Sequence, residues 1–234
     1  MTYERLGVIG GMGPKATAVF FDQVIARTAA NRDQEHLDMI ILNHATLPDR
    51  TEVILNHEDE RFLQAIAQDL ELLERAGVAH IAIPCNTSHY YYHEMQEMTR
   101  VPIINMVEET LREIRHQYGE NSRIGIMATS GTMQSGVYEK GCIMNGLELC
   151  KPDEEMQQRI MKIIYQVKSE LEADVQEAEE IIRQLVSDHG CDCVILACTE
   201  LSCIPLGEDI TRYCVDAMDV LVRRSIERCG KSVR

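Results

Sequence analysis

Nowhere in the 234 residues does an apolar run approach the roughly 20 residues that a bilayer requires, so neither a spanning helix nor a membrane partner is expected. A run of lysine or arginine is missing as well. With 38 acidic against 23 basic residues and a formal charge of −15, the chain lacks the basic patches that neutralise phosphates, which excludes nucleic acid as a partner. There is no signal-peptide plan: Met1-Thr-Tyr-Glu-Arg5 leads straight into a short apolar segment ending at Gly10-Gly11, and a cytoplasmic protein is expected. No stretch has the composition of a linker. Nine cysteines are an odd number, and several lie inside apolar runs, so reduced thiols are expected rather than a disulfide framework.

What is present is an alternation of short apolar strands and amphipathic helices. Leu6–Gly10 reads as a strand, followed by a glycine turn and a helix from Lys15 to Asn31 with Pro14 at its first turn. Strands are expected at Met39–Leu42, His80–Ile83 and Pro102–Ile104, and helices at Glu58–Ala76, His89–Met98 and Val107–Tyr118. The pattern restarts at Arg123–Ala128. Further strands follow at Leu147–Leu149, Cys193–Leu196 and Tyr213–Val215, with helices at Asp153–Glu170, Ala173–Ser187 and Ala217–Arg228. Such alternation predicts an α/β fold built on parallel sheets.

The two halves echo each other. Gly77-Val-Ala-His-Ile-Ala-Ile-Pro-Cys85 and Gly190-Cys-Asp-Cys-Val-Ile-Leu-Ala-Cys198 both place a glycine eight residues before a cysteine, across an apolar strand, and a threonine follows each cysteine within two residues. Cys85 with Cys198, Gly7 with Gly125 and Asn105 with Asp216 recur at spacings of 113, 118 and 111 residues. The simplest account is two similar lobes, each a parallel sheet flanked by helices, related by a pseudo-twofold with the active site in the cleft between them. Residues 1–100 plus 213–234 are assigned to the first lobe and 101–212 to the second. Ligands in open α/β sheets bind beyond the carboxyl ends of the strands, so two thiols are expected to face one ligand from opposite sides.

Inverting a stereocentre by proton transfer needs a base on one face and an acid on the other. Two thiols in opposite protonation states meet that need in both directions. Ser88 could cap the helix after Cys85, whose N-terminus would favour a thiolate and a bound carboxylate. A redox disulfide and a metal site are the alternatives, but the two cysteines form no C-x-x-C pair. Neither Cys191-x-Cys193-x4-Cys198-x4-Cys203 nor Cys85-x3-His89-x3-His93 has a convincing zinc spacing. No metal is expected.

Gly10-Gly-Met-Gly-Pro14 with Ala16-Thr17, Pro84-Cys-Asn-Thr-Ser88 and Ala197-Cys-Thr-Glu200 make the chain, over nearly its whole length, resemble the aspartate/glutamate racemase superfamily. The branch it resembles is the aspartate racemase one, since the glutamate branch carries Asp-Ser in its first glycine loop and Cys-Thr-His at its second cysteine. The resemblance implies a cofactor-independent racemase acting on aspartate or glutamate, with Cys85 and Cys198 as the acid/base pair and a homodimeric state. It implies carboxylate binding by Arg50, in a loop Pro48-Asp-Arg50-Thr51, and by Lys168, for which Lys162 is the alternative register. It also implies hydroxyl and backbone donors from the motif threonines Thr87 and Thr199 and from a turn formed by Thr129, Ser130, Gly131 and Thr132, with Asn86 and Glu200 also at the substrate, while the glycine loop suits close approach to a small carboxylate and would place Met12 in the pocket wall.

Three rival readings remain, of which a non-enzymatic binding protein would leave the paired thiols unexplained. Gly11-Met-Gly13-Pro-Lys-Ala16 fits a dinucleotide-binding fingerprint, but the second strand ends at Asn43-His44 without the acidic residue that holds a ribose. A broad-specificity amino-acid racemase, a hydantoin racemase or a maleate isomerase on the same scaffold is the nearer rival. The cation pair favours a dicarboxylate substrate.

Overall fold

A computed structural model describes residues 4–169 and 173–234. In the first half it forms β1 (Leu6–Gly10), α1 (Pro14–Arg27), β2 (Met39–Asn43), α2 (Arg50–Asn56), α3 (Asp59–Arg75), β3 (His80–Ala82), α4 (Tyr92–Glu97) and α5 (Met106–Tyr118). The second half forms β4 (Arg123–Ala128), α6 (Ser130–Ser135), α7 (Val137–Asn145), β5 (Glu148–Cys150), α8 (Glu154–Lys168), α9 (Val175–Ser187), β6 (Cys193–Ala197), α10 (Glu208–Thr211), β7 (Cys214–Asp216) and α11 (Ala217–Arg228). Among the described residues no helix is long and apolar enough to cross a membrane.

Two parallel sheets result, in the orders β2-β1-β3 and β5-β4-β6-β7. Ile103 extends the first by a parallel bridge to Ile81, so both sheets share one plan: an edge strand, the first strand of the half, the strand leading to a cysteine, then a short outer segment. The central strands β1, β4 and β6 are covered on both faces, which is why they read as unbroken apolar runs. In the first lobe Phe62, Ile66, Leu70 and Leu73 of α3 cover one face of the sheet, and Phe20 and Val24 of α1 with Leu221 and Val222 of α11 cover the other. In the second, α8 and α9 cover one face while α5 and α7 cover the other.

The structure explains the echoing glycines and revises several expectations. Gly77 and Gly190 adopt φ of 70° and 68°, so each ends the preceding helix in the left-handed conformation and turns the chain into the strand that leads to its cysteine. Pro102–Ile104 is no strand but a single bridge, since proline has no N–H to donate. Strand β7 pairs with β6, and Ile103 with β3, so both segments lie in the sheet opposite to the one the expected boundaries give them. The helix expected from His89 begins instead as a 3-10 turn, Thr87–Tyr91, and Ser88 does not cap it: its hydroxyl donates back to the Cys85 carbonyl at 2.8 Å. The short helices α2, α6 and α7 carry too little periodicity to be read. The N-terminal residues Met1–Tyr3 and the expected helix end at Glu170 lie outside the described residues.

Asn105 and Asp216 are equivalent in structure as well as spacing. Each caps the helix after it, Asn105 accepting from the Glu108 N–H at 3.1 Å and Asp216 from the Met218 N–H at 2.8 Å, where Asp216 also takes the Ser202 hydroxyl at 2.7 Å. Burial raises the Asp216 carboxyl from its ordinary value to about 6, although its hydrogen bonds work the other way. The folded protein therefore holds this proton more tightly than the unfolded chain. Stability linked to that proton is full at pH below about 4 and is lost as pH rises through about 6. Asp216→Asn can keep both hydrogen bonds, so its stability relative to the parent should grow by ~1 kcal/mol per pH unit across that interval. Thermal unfolding of both proteins from pH 4 to 7 checks this, and a constant difference would contradict it.

Candidate active site

The segments leaving the carboxyl ends of β1, β3, β4 and β6, with the start of α2 and the end of α8, surround a narrow cavity. Cys85 and Cys198 line it from different lobes, Cys85 packing with the first lobe's core and Cys198 with the second's. Met12, Arg50, Asn86, Thr87, Thr129, Lys168, Thr199 and Glu200 line the same space. Outward, it adjoins a recess that shares Arg50, Lys168 and Glu200 and adds Lys15.

Arg50 is not in a loop. The Asp49 carboxylate accepts from the N–H groups of Thr51 and Glu52 at 2.9 and 3.0 Å, and this cap makes Arg50 the first residue of α2. The guanidinium is drawn inward, donating to the Pro48 carbonyl at 2.9 Å and the Met12 carbonyl at 3.4 Å, with the residue only 8% exposed. Among the described residues no carboxylate pairs with it, and its Nε is buried without an acceptor. Asn86 is in the same condition: its Oδ1 accepts from the Tyr138 hydroxyl at 2.5 Å, and its Nδ2 is buried without an acceptor. A buried cation and two orphaned donors around one cavity call for an anion.

Three threonines join the lobes beside these donors. The Thr87 hydroxyl lies 3.1 Å from that of Thr129 and 2.8 Å from that of Thr132, which are themselves 3.1 Å apart. Thr129 is the cap of α6 rather than part of a turn, accepting from the Thr132 N–H at 3.1 Å. Ser130, Gly131 and Thr132 do not line the cavity. The Ser130 N–H donates to Met161 Sδ at 3.2 Å, and Gly131 lies against α2 so closely that a Cβ there would come within 2.7 Å of the Thr51 hydroxyl. Asp49 and Thr51 line the cavity without having been singled out from sequence. Both flank Arg50 in its motif, which is the signal that could have found them.

Residues 9–224 match the profile of the Asp/Glu/hydantoin racemase family. The chain belongs to that family. The racemase is 33% identical over 204 residues to the broad-specificity amino-acid racemase RacX of Bacillus subtilis, covering 85% of this chain and 86% of the relative. Its structure matches the aspartate racemase of Picrophilus torridus with a TM-score of 0.84 and 28% identity, over 99% of this chain and 96% of the other. The glutamate racemase of Campylobacter jejuni shares the fold at a TM-score of 0.65 and 16% identity, over 98% and 88% of the two chains.

In this racemase the two thiols have different neighbours. Cys198 Sγ donates to Glu200 Oε2 at 2.9 Å. Burial, and then the Glu200 carboxylate, push the Cys198 thiol well above its ordinary value, and Lys168 only partly offsets them. Lys168 ends α8 on the rim of the cavity, where the residue as a whole keeps an exposed surface. Burial pulls its ammonium down, but Glu200, Cys198, Asp49 and Cys85 together hold it above the usual lysine value, so it stays charged.

His89 is buried and serves the backbone. Its Nε2 accepts from the Met106 N–H at 3.1 Å, which leaves Nδ1 to donate to the Cys85 carbonyl at 2.9 Å. Burial lowers its pKa, and both nitrogens are used in the neutral form. His93 is exposed, so Cys85, His89 and His93 do not converge, and among the described residues no group of His, Cys, Asp or Glu is arranged to hold a metal.

Succinate, a dicarboxylate without an amino group, should stabilise the racemase by supplying the missing acceptors. The gain is ~2.7 kcal/mol at about 100 times its Kd. Arg50→Gln should lose most of it. Thermal shift of both proteins against succinate concentration is the check, and equal shifts would remove Arg50 as the anchor.

Proposed function

We propose that this racemase interconverts L- and D-aspartate without a cofactor, using Cys85 and Cys198 as the two bases. One observation carries the reading: the buried Arg50 guanidinium, with no carboxylate partner among the described residues, faces a cavity lined by one thiol from each lobe. One substrate carboxylate completes Arg50 and the second lies toward Lys168. With both ends fixed, the alpha carbon sits between the cysteines. One thiolate removes the alpha proton from its face and the other thiol delivers a proton to the opposite face, so the configuration inverts and the net protonation of the pair is unchanged.

The costly species is the carbanion, whose charge spreads into the alpha carboxylate. Donors already aimed at that carboxylate stabilise it without reorganising, each on the order of 3 kcal/mol by analogy with oxyanion holes. Asn86 Nδ2 and the hydroxyls of Thr87 and Thr129 are suited to this role. Arg50 should therefore affect turnover and not only affinity.

Cys85→Ser and Cys198→Ser should each lower racemisation by at least ~10²- to 10⁴-fold while leaving the thermal unfolding profile unchanged. Polarimetry or chiral chromatography measures it, and near-parental turnover in either variant overturns the two-base reading. In deuterated solvent the alpha proton of aspartate should exchange without added pyridoxal phosphate.

The second reading is broad specificity, favoured by the relationship to RacX. The cavity's own Asp49 and Glu200 support it, since they offset the two cations and leave no large excess of positive charge to demand a second substrate carboxylate. Turnover of aspartate, glutamate and alanine in both enantiomers separates the two. Arg50→Gln should cost aspartate turnover about 10- to 100-fold, the worth of a charge-assisted contact. Equal parental kcat/KM for alanine and aspartate decides for broad specificity.

A further inference from the structure

The two cysteines have matched access to solvent and unmatched surroundings. Each is 6% exposed, and each lines the cavity. Cys198 Sγ points its proton at Glu200 Oε2, 2.9 Å away, and Glu200 is itself 4% exposed. Among the described residues no carboxylate is hydrogen-bonded to the Cys85 thiol, where the residue two positions on is Thr87 rather than an acid. The same position after each cysteine of the echo thus carries a neutral hydroxyl in one lobe and a buried carboxylate in the other.

We propose that Glu200 is a positioning residue that makes the pair unequal, keeping Cys198 as the resting thiol and proton donor and leaving Cys85 as the resting base. This rests on the two-base reading and gives it a direction. Glu200 accepts the Cys198 proton as a hydrogen bond, a contact that vanishes when the proton leaves and is replaced by repulsion between two anions. The other charged or titratable groups around Cys198 are Lys168 from α8, Asp49 and Arg50 at the start of α2, Cys85 across the cavity and Tyr138 from α7. Lys168 opposes Glu200, and burial adds to Glu200. Lys168 acts on both thiols, whereas among the described residues Glu200 is hydrogen-bonded to Cys198 and not to Cys85.

The resting enzyme then takes directly the enantiomer whose alpha hydrogen faces Cys85. The C–H bond breaks toward Cys85 Sγ and an S–H bond forms there. The Cys198 S–H bond breaks, and its proton forms the new C–H bond on the opposite face. The product leaves an enzyme with its protons inverted, Cys85 as thiol and Cys198 as thiolate beside the Glu200 carboxylate. Repulsion drives its return, one proton leaving Cys85 to solvent and one arriving at Cys198 from solvent. Because the two enantiomers have equal free energy, kcat/KM is the same in both directions whatever Glu200 does. The asymmetry lies in the free enzyme and is read from the thiols themselves.

Iodoacetamide alkylation of the ligand-free full chain, followed from pH 6 to 10 with each cysteine quantified by peptide mass spectrometry, tests it. At pH 7 Cys85 should react at least ~10-fold faster than Cys198, because the thiolate is the reactive form. The Cys198 profile should rise only at higher pH. Glu200→Gln keeps the side chain's shape and should raise the Cys198 rate at pH 7 by ~10-fold or more while leaving the Cys85 rate unchanged. Equal rates for the two cysteines in the parent overturn the proposal without any variant, and so does a Glu200→Gln protein whose Cys198 rate is unmoved. The two-base reading fails by a different measurement, retained racemisation in Cys85→Ser or Cys198→Ser, so the two failures are told apart.

Discussion

Two sheets can end on one small ligand only if something holds their ends at a fixed separation, and here three threonine hydroxyls do so. Thr87 follows β3 of the first sheet, Thr129 and Thr132 lie at the start of α6 just after β4 of the second, and the three form a closed set of contacts between 2.8 and 3.1 Å. Each such bond is worth only about 1 kcal/mol net, but in a buried ring the bonds polarise one another, and losing one strands the others. On the neighbouring side, Gly131 lets α6 approach the backbone of α2, where a larger residue would force the lobes apart. The positions of Cys85, Asn86 and Arg50 relative to Cys198 follow from these contacts.

The net charge of −15 constrains how such a cavity can bind an anion. The protein's net field repels an anion at long range, so affinity has to come from short-range geometry. The Asp49 cap starts α2 at Arg50, and three backbone carbonyls orient the guanidinium without neutralising it. Lys168 has carboxylates among its neighbours and is less free to bind than Arg50. The two cations are therefore unequal: one is preorganised and unpaired, and the other shares its charge with the site.

Strong periodicity made most of the fold readable. The central strands are apolar throughout because both faces are covered, and α3, α8 and α9 show a clear apolar stripe. The repeat around Gly77 and Gly190 was legible because a helix end with positive φ must recur wherever the same turn recurs. What escaped reading was tertiary. Pro102–Ile104 has strand-like residues but only one pairing partner, and β7 joins its sheet through contacts no local pattern encodes. At the site, motif residues led to Cys85, Cys198 and Arg50, but Ser130 and Thr132 share a motif without lining the cavity, because the Ser130 N–H is taken by Met161 and the Thr132 hydroxyl sits against those of Thr87 and Thr129. The Cys198–Glu200 bond is a matter of side-chain direction, which sequence does not carry.

The common strand plan of the two lobes has a consequence in terms of symmetry. A true twofold dimer of one such lobe would repeat every residue, so its two thiols would have to share identical surroundings. Joining both lobes in one chain lifts that requirement. Here the position two residues after each cysteine is Thr87 on one side and Glu200 on the other, and Asn105 on one side answers to Asp216 on the other. Covalent linkage is thus what permits a nearly symmetric cavity to surround its two thiols differently.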